Sequence, residues 1–381
     1  MWIVHEAKGS AKLALLPALF WLSGCVTYST DSLVTPTPAH GALYEVAAFR
    51  DQLTGVAVSG RGRIFVNFPR WGKEPRYSVA ELMPDGSLHP YPDAEWNRQG
   101  SASAPHPEAH FICVQSVFAD AHDSLWILDP ASPSFQGVVP GGAKLLKVNL
   151  ATDTVERVIP FDETVAPPAS YLNDVRVGPA GDFAYIADSG TGAIVVVDLK
   201  KGTSRRLLAD HPSTKAEPGV IPVIEGRELR DTAGNVPQIN VDGIALDASG
   251  DYLYYHALTA RTLYRIATRP LKDPKLPAAE VGGRVERLAE TGPVDGMFMD
   301  RNDNLYLTAL ETDAVIRYRP GGKLATIVRD DLVQWPDSLA IGPDRYLYVT
   351  ASQINRMPRF NGGVDRSVLP YRLFRVWPDV P

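Results

Sequence analysis

Six stretches of this chain carry one short pattern, and that repetition constrains the fold more than any other feature. They are "LTGVAVSGRGRIFVNF" from Leu53, "VQSVFADAHDSLWILD" from Val114, "YLNDVRVGPAGDFAYIADSG" from Tyr171, "VDGIALDASGDYLYYHA" from Val241, "VDGMFMDRNDNLYLTA" from Val294 and "PDSLAIGPDRYLYVTA" from Pro336. Each reads as a polar residue, a short apolar strand, a turn of Gly, Asp or Asn, and an aromatic-led strand. The polar residue and the aromatic are separated by eleven or twelve positions in every copy: Thr54 and Phe65, Gln115 and Trp126, Asn173 and Tyr185, Asp242 and Tyr254, Asp295 and Tyr306, Asp337 and Tyr348.

The copies start 42 to 69 residues apart, which leaves room for two further strands in each. Third-strand candidates are "AKLLKVNL", "GAIVVVDL", "RTLYRIAT", "DAVIRYRP" and "YRLFRVWP". β-rich units of this period indicate a propeller of four-stranded blades. No sustained 3.6-residue amphipathic pattern of helix length follows the first 41 residues, so the crossover helices of a parallel α/β fold are missing. The expected class is all-β, a six-bladed propeller over residues 42–381. The last copy lacks a fourth strand at the C-terminus, while "ALYEVAAF" (Ala42 to Phe49) is unassigned ahead of the first. The N-terminal strand is therefore expected to complete the last blade and remove the open edge.

In a propeller the first strand of each blade lines the central channel, so the polar residues of the repeat converge at one mouth. Asp242, Asp295 and Asp337 would meet there with Asn173, Gln115 and Thr54. Like charges this close are costly unless something cationic sits among them. A divalent ion of the calcium class, held by Asn173, Asp242 and Asp295, meets that need; so does a cationic or polyhydroxylated small molecule. Asp before Gly can equally cap a turn. Second-strand ends reach the same face with Asn67, Asp129, Asp188, Ser189, His256, Thr308 and Ser352. His256 and Asp337 are candidates for moving a proton. Asp188 is a candidate ligand contact, and Arg70 and Trp71, in the loop after the first blade's second strand, could stack on a ligand. There is no G-x-S-x-G elbow, H-E-x-x-H, P-loop or dinucleotide fingerprint. The mild net charge of -6 and the lack of a dense basic run argue against nucleic acid as a partner.

The first residues differ from the rest. Lys8 and Lys12 precede "LALLPALFWL", which is too short to span a bilayer and contains Pro17, and "LSGC" follows. This reads as a signal peptide over residues 1–24, with Cys25 as a lipidated residue in a bacterial lipobox and residues 25–41 as a Thr/Ser/Pro-rich tether. The expected location is the bacterial outer membrane, periplasmic or surface-facing, or secretion, with membrane contact through the lipid only. With Cys25 lipidated, only Cys113 remains and no intrachain disulfide forms.

The phrases "VNFPRWGKEPRYSVAEL", "CVQSVFADAHDSLWILD", "YLNDVRVGPAGDFAYIADSGTGAIVVVDL", "DGIALDASGDYLYYHALTARTLYRI" and "QWPDSLAIGPDRYLYVTAS" resemble the yellow and major royal jelly proteins, across about residue 42 to 377. The resemblance implies a secreted six-bladed propeller. Some insect members are linked to dopachrome conversion, and some salivary relatives bind biogenic amines in the channel. A more distant resemblance is to the senescence-marker and gluconolactonase group, which implies a divalent metal at the mouth. Asn173, Asp242 and Asp295 match part of that ligand set, with Thr54 where a metal-binding Glu would stand. The function expected is thus binding of a small ligand at the mouth, with a metal-assisted lactone hydrolase or dopachrome-type tautomerase as the alternative.

Overall fold

The computed structural model describes residues 41–98, 106–319 and 321–378; the expected signal peptide (1–24), the expected lipidation site Cys25 and the expected tether as far as residue 40 lie outside the described residues. Six four-stranded antiparallel sheets follow one another around a channel, as the repeat requires. The second, third, fourth and fifth blades each run in chain order, for example Leu172–Val177, Phe183–Asp188, Ala193–Asp198 and Thr203–Leu207 in the third. All five third-strand candidates are third strands. The sixth blade is closed by Leu43–Phe49, which pairs antiparallel with Tyr371–Val376 from Leu43 opposite Val376 to Phe49 opposite Tyr371. The chain ends are thereby held in one sheet, with no exposed edge left at the seam.

The core lies between neighbouring blades. Leu128 and Leu145 of the second blade pack on Val175, Ile186 and Val195 of the third, and Val56 and Val58 of the first pack on Tyr348 and Leu373 of the sixth. In three of the six copies the aromatic of the repeat ties its own hairpin. Trp126 Nε1 donates to Asp120 at 2.7 Å, Tyr306 OH to Asp300 at 3.2 Å and Tyr348 OH to Asp344 at 2.8 Å. The turn Asp and the aromatic therefore recur as a structural pair, with an apolar ring buried and its polar tip satisfied.

Candidate functional site

The polar residues of the repeat reach the channel through a local defect. In blades three to six the pairing of the first two strands shifts register between Leu172 and Val175, Val241 and Ile244, Val294 and Met297, and Pro336 and Leu339. Each interruption contains the polar position: Asn173, Asp242, Asp295 or Asp337. A bulge re-aims a side chain and leaves backbone amides unpaired. In blade five the Thr308 hydroxyl accepts those amides, from Asp295 N at 3.2 Å and Gly296 N at 2.9 Å; in blade six Thr350 accepts from Ser338 N at 2.9 Å.

Glycine after the aspartate has a packing cause. A Cβ on Gly243 would lie 2.2 Å from the Asp295 carbonyl oxygen, and one on Gly296 1.8 Å from that of Asp337. The inner strands touch backbone to backbone around the channel, and only glycine permits that approach.

These bulges open onto one cavity of about 250 Å³. Asn173, Asp242, Asp295, Asp337, Gln115 and Trp71 all line it, as expected from the sequence. Its wall is aromatic: Trp71 stacks on Phe135 at 5.0 Å between centroids, and Phe135 lies 5.3 Å from Tyr171. A chain of hydrogen bonds fixes the polar side. Trp71 Nε1 donates to Tyr171 OH (2.6 Å), which donates to Gln115 Oε1 (2.9 Å); Gln115 Nε2 donates to Asn173 Oδ1 (3.0 Å), and Asn173 Nδ2 to Ser189 Oγ (3.1 Å).

The three carboxylates are nearly as inaccessible as the core, at 3, 6 and 5% exposure for Asp242, Asp295 and Asp337. None forms an ion pair among the described residues. Burial, and then the repulsion of neighbouring carboxylates, pushes Asp242 and Asp337 well above the usual range. Asp295 is pushed up to about 7 by burial, moderated by Trp335 Nε1, which donates to its Oδ2 at 2.6 Å, and by a hydrogen bond with Asp242. The two carboxyls therefore titrate as one pair, in which a proton on either favours the charged form of the other. Asp337 Oδ1 accepts from the Ser338 hydroxyl at 3.3 Å, and the Ser352 hydroxyl lies close enough to Asp337 to oppose the rise of its pKa. Deeper in the channel Arg176 is engaged elsewhere, with Asp174 at 3.3 Å and the Met297 carbonyl at 2.6 Å.

Several sequence expectations need correction. Asp188 does not line the cavity. It is wholly buried and accepts from the amides of Tyr171, Gly190 and Thr191 at 2.8, 3.0 and 3.2 Å. It also pairs with Arg206 at 2.7 Å. Burial alone would raise its pKa; Arg206 and these hydrogen bonds outweigh that and hold it low. Its place in the repeat gave it a loop-fastening duty, not a ligand contact. His256 is also outside the cavity lining. Its Nδ1 donates to the Ala257 carbonyl at 2.6 Å, and its Nε2 meets the Thr291 hydroxyl at 3.0 Å. Burial pushes it down to about 4, so it is a neutral, occupied ring. Arg70 turns from the cavity to Glu74 at 2.5 Å. The set Asn173, Asp242 and Asp295 does not fit a divalent ion as arranged. Asn173 Oδ1 is occupied by Gln115, and among the described residues no group of three or more His, Cys, Asp or Glu is placed to hold a metal.

Sequence reasoning missed Tyr171, Phe135, Trp335, Arg359 and Asp231, which line the same cavity. Trp335 and Tyr171 sit just ahead of first strands, each two residues before an assigned position, and were legible there. Phe135 and Arg359 come from long inter-strand loops, where no period points to them.

The molecule is a six-bladed propeller with an aromatic-walled, carboxylate-floored cavity at one end of its channel. It belongs to the family described as "Major royal jelly protein", whose model matches residues 112–369. Major royal jelly protein 5 of Apis mellifera is 24% identical over 268 residues, covering 67% of this chain and 42% of that protein. The chain thus spans less than half the length of that curated relative. A gluconolactonase from Xanthomonas campestris is similar in fold at 12% identity, with a TM-score of 0.53 over 87% of this chain and 89% of that one. A luciferin-regenerating enzyme is similar at 10% identity and TM-score 0.53, over 88% and 94%. At such identities the likeness is one of fold.

Proposed function

We propose that the chain is a cell-envelope binding propeller, exported by its leader and anchored through Cys25, that holds a small cationic or polyhydroxylated ligand at the channel mouth. One observation carries the binding reading. Asp242, Asp295 and Asp337 are buried together at the floor of an aromatic-walled cavity without a paired cation among the described residues. Buried carboxylates of a purely structural kind are compensated by fixed donors or cations. These keep raised pKa values, a cost a ligand with an ammonium or several hydroxyls would relieve. Aromatic faces favour the same chemistry.

Titration calorimetry with benzylamine, a neutral benzyl analogue and a polyol tests it. Heat of binding for the amine or the polyol, lost in Asp242→Asn/Asp295→Asn, supports the reading; no binding by either sinks it. Calcium and chelator are run alongside. A midpoint of unfolding that drops in chelator would restore the divalent ion despite the poor fit of the ligand set. Palmitate labelling that disappears in Cys25→Ser tests the anchor.

A second reading is favoured by the hydrogen-bonded pair itself. Asp242 can give a proton while Asp295, near neutrality, can take one. That suits a tautomerase of the dopachrome type, or lactone opening by acid–base chemistry, with no step routed through a metal. Turnover of such a substrate that falls at least about a hundredfold in Asp295→Asn is the expected sign.

A further inference from the structure

One cation of the cavity makes no ion pair among the described residues, although the charge of Asp231 reaches it. Arg359 lies in the short turn Pro358–Phe360 and lines the cavity with Asp242, Asp295 and Asp337. Its guanidinium carbon sits 4.1 Å from the Phe135 ring centroid and 4.9 Å from that of Phe360. It makes no hydrogen bond or ion pair among the described residues. Arg356, three positions earlier, is by contrast closed by Glu225 at 2.6 Å. Asp231 also lines the cavity, but its Oδ1 accepts from the amides of Ala233 and Asn235, at 2.9 and 2.8 Å, and its Oδ2 from Asn235 Nδ2 at 3.2 Å. Arg359 therefore keeps its five donors unspent, in surroundings where burial already lowers its pKa.

We propose that Arg359 is an anion subsite, and that the cavity takes an aromatic zwitterion with a carboxylate for Arg359 and an ammonium for the aspartates. This rests on the reading of the carboxylate floor as a cation site. Ring faces line the same cavity as the guanidinium and the carboxylates. Phe135, under the guanidinium, stacks on Trp71 and leans on Tyr171, and Tyr171 is close enough to feel the charges of both Arg359 and Asp242. A dry cavity of about 150 Å³ accommodates benzene. The volume here, about 250 Å³, suits one substituted ring. Planar bidentate pairing is what a guanidinium offers a carboxylate, and partial burial strengthens it.

The test is calorimetry on the mature chain with three probes: para-(aminomethyl)benzoate, its neutral amide, and benzylamine. The carboxylate is expected to bind at least about tenfold tighter than the amide, as a charge-assisted contact implies. In Arg359→Gln that ratio should fall to near unity, while Arg359→Lys should retain part of it. Asp242→Asn/Asp295→Asn should weaken all three probes. Equal binding of carboxylate and amide, with benzylamine still bound, overturns the anion subsite and leaves the cation site standing. A carboxylate preference that survives in Arg359→Gln overturns it too. No binding by any probe overturns both. Circular dichroism and the unfolding midpoint of each variant separate loss of fold from loss of binding.

Discussion

Two sets of buried aspartates face the same end of this propeller and are treated in opposite ways. Asp129 and Asp188 stand at the ends of second strands in the second and third blades. Asp129 accepts from Ile112 N, Cys113 N, Ala131 N and Lys144 Nζ, at 2.7 to 3.0 Å. Asp188 has three amides, the Thr191 hydroxyl and Arg206. Every oxygen is engaged and each charge is met. Asp242, Asp295 and Asp337 come from first-strand bulges in blades four to six; they are equally buried, and repel one another. In the other half of the ring the equivalent positions are Thr54, Gln115 and Asn173, which carry no charge. Burial alone does not separate a fastening residue from a site residue. The account of counter-charges does, and it places the unmet charge on one side of the channel.

The largest expected effect breaks the fastened set. Asp188→Ala leaves the half-buried Arg206 without a counter-charge, held only by the Val165 carbonyl and the Thr191 hydroxyl, and frees three amides of the loop 171–191. Removing one partner of a buried pair costs about 3–5 kcal/mol, so denaturant unfolding should show a loss of that order. Lys144→Met, which strands Asp129, belongs in the same range. A loss under about 1 kcal/mol in both variants would mean that the fastened set resembles ordinary surface pairs.

The free set should respond with the opposite sign. Asp242→Asn/Asp295→Asn removes mutual repulsion and the cost of burying charge, while an amide keeps the shape. At a pH near 8 the double variant should unfold about 1–2 kcal/mol later than the parent, with ligand binding lost. A variant that is both less stable and no weaker in binding would reduce these aspartates to structural residues. Gain of stability with loss of function is the signature that distinguishes the two sets.

How much of this could be read from sequence follows from what repeats. The blade count, the strand order and closure by Leu43–Phe49 were legible because alternation and turn spacing recur six times. Five of the cavity residues, Gln115, Asn173, Asp242, Asp295 and Asp337, were legible because their position recurs too. Asp188 and His256 were misplaced for the same reason. The period locates a residue on a face but does not tell whether its side chain turns into the channel or back to its own loop. That choice is set by individual partners, such as Arg206 for Asp188 and Thr291 for His256, which lie outside the repeat. Asp-Gly reads as a turn cap, whereas here the glycine admits the neighbouring inner strand. Phe135 and Arg359 were invisible because non-repeating loops deliver them.

The smallest effect, and the one that joins both sets in one experiment, is the dependence of stability on pH. Asp188 has a folded pKa held low, so its contribution is present above the ordinary carboxylate value and is lost as pH falls through its folded value. The free set has folded pKa values raised, to about 7 for Asp295. Between about 4 and about 7 the folded state then binds more protons than the unfolded one, so stability falls as pH rises across that window. His256, lowered to about 4, opposes this trend, and the three aspartates together outweigh it, so melting of the parent between about pH 3 and pH 8 should give a midpoint that peaks near pH 5 and declines to either side. The double Asn variant should keep the acid limb and lose most of the neutral one. A neutral limb that persists unchanged in the variant would assign the raised titration to other groups, Asp174 first among them, since burial raises it as well. If the neutral limb is absent from the parent, the three carboxylates carry their charge in the folded state. In that case a bound cation would have to be compensating them before any ligand is added.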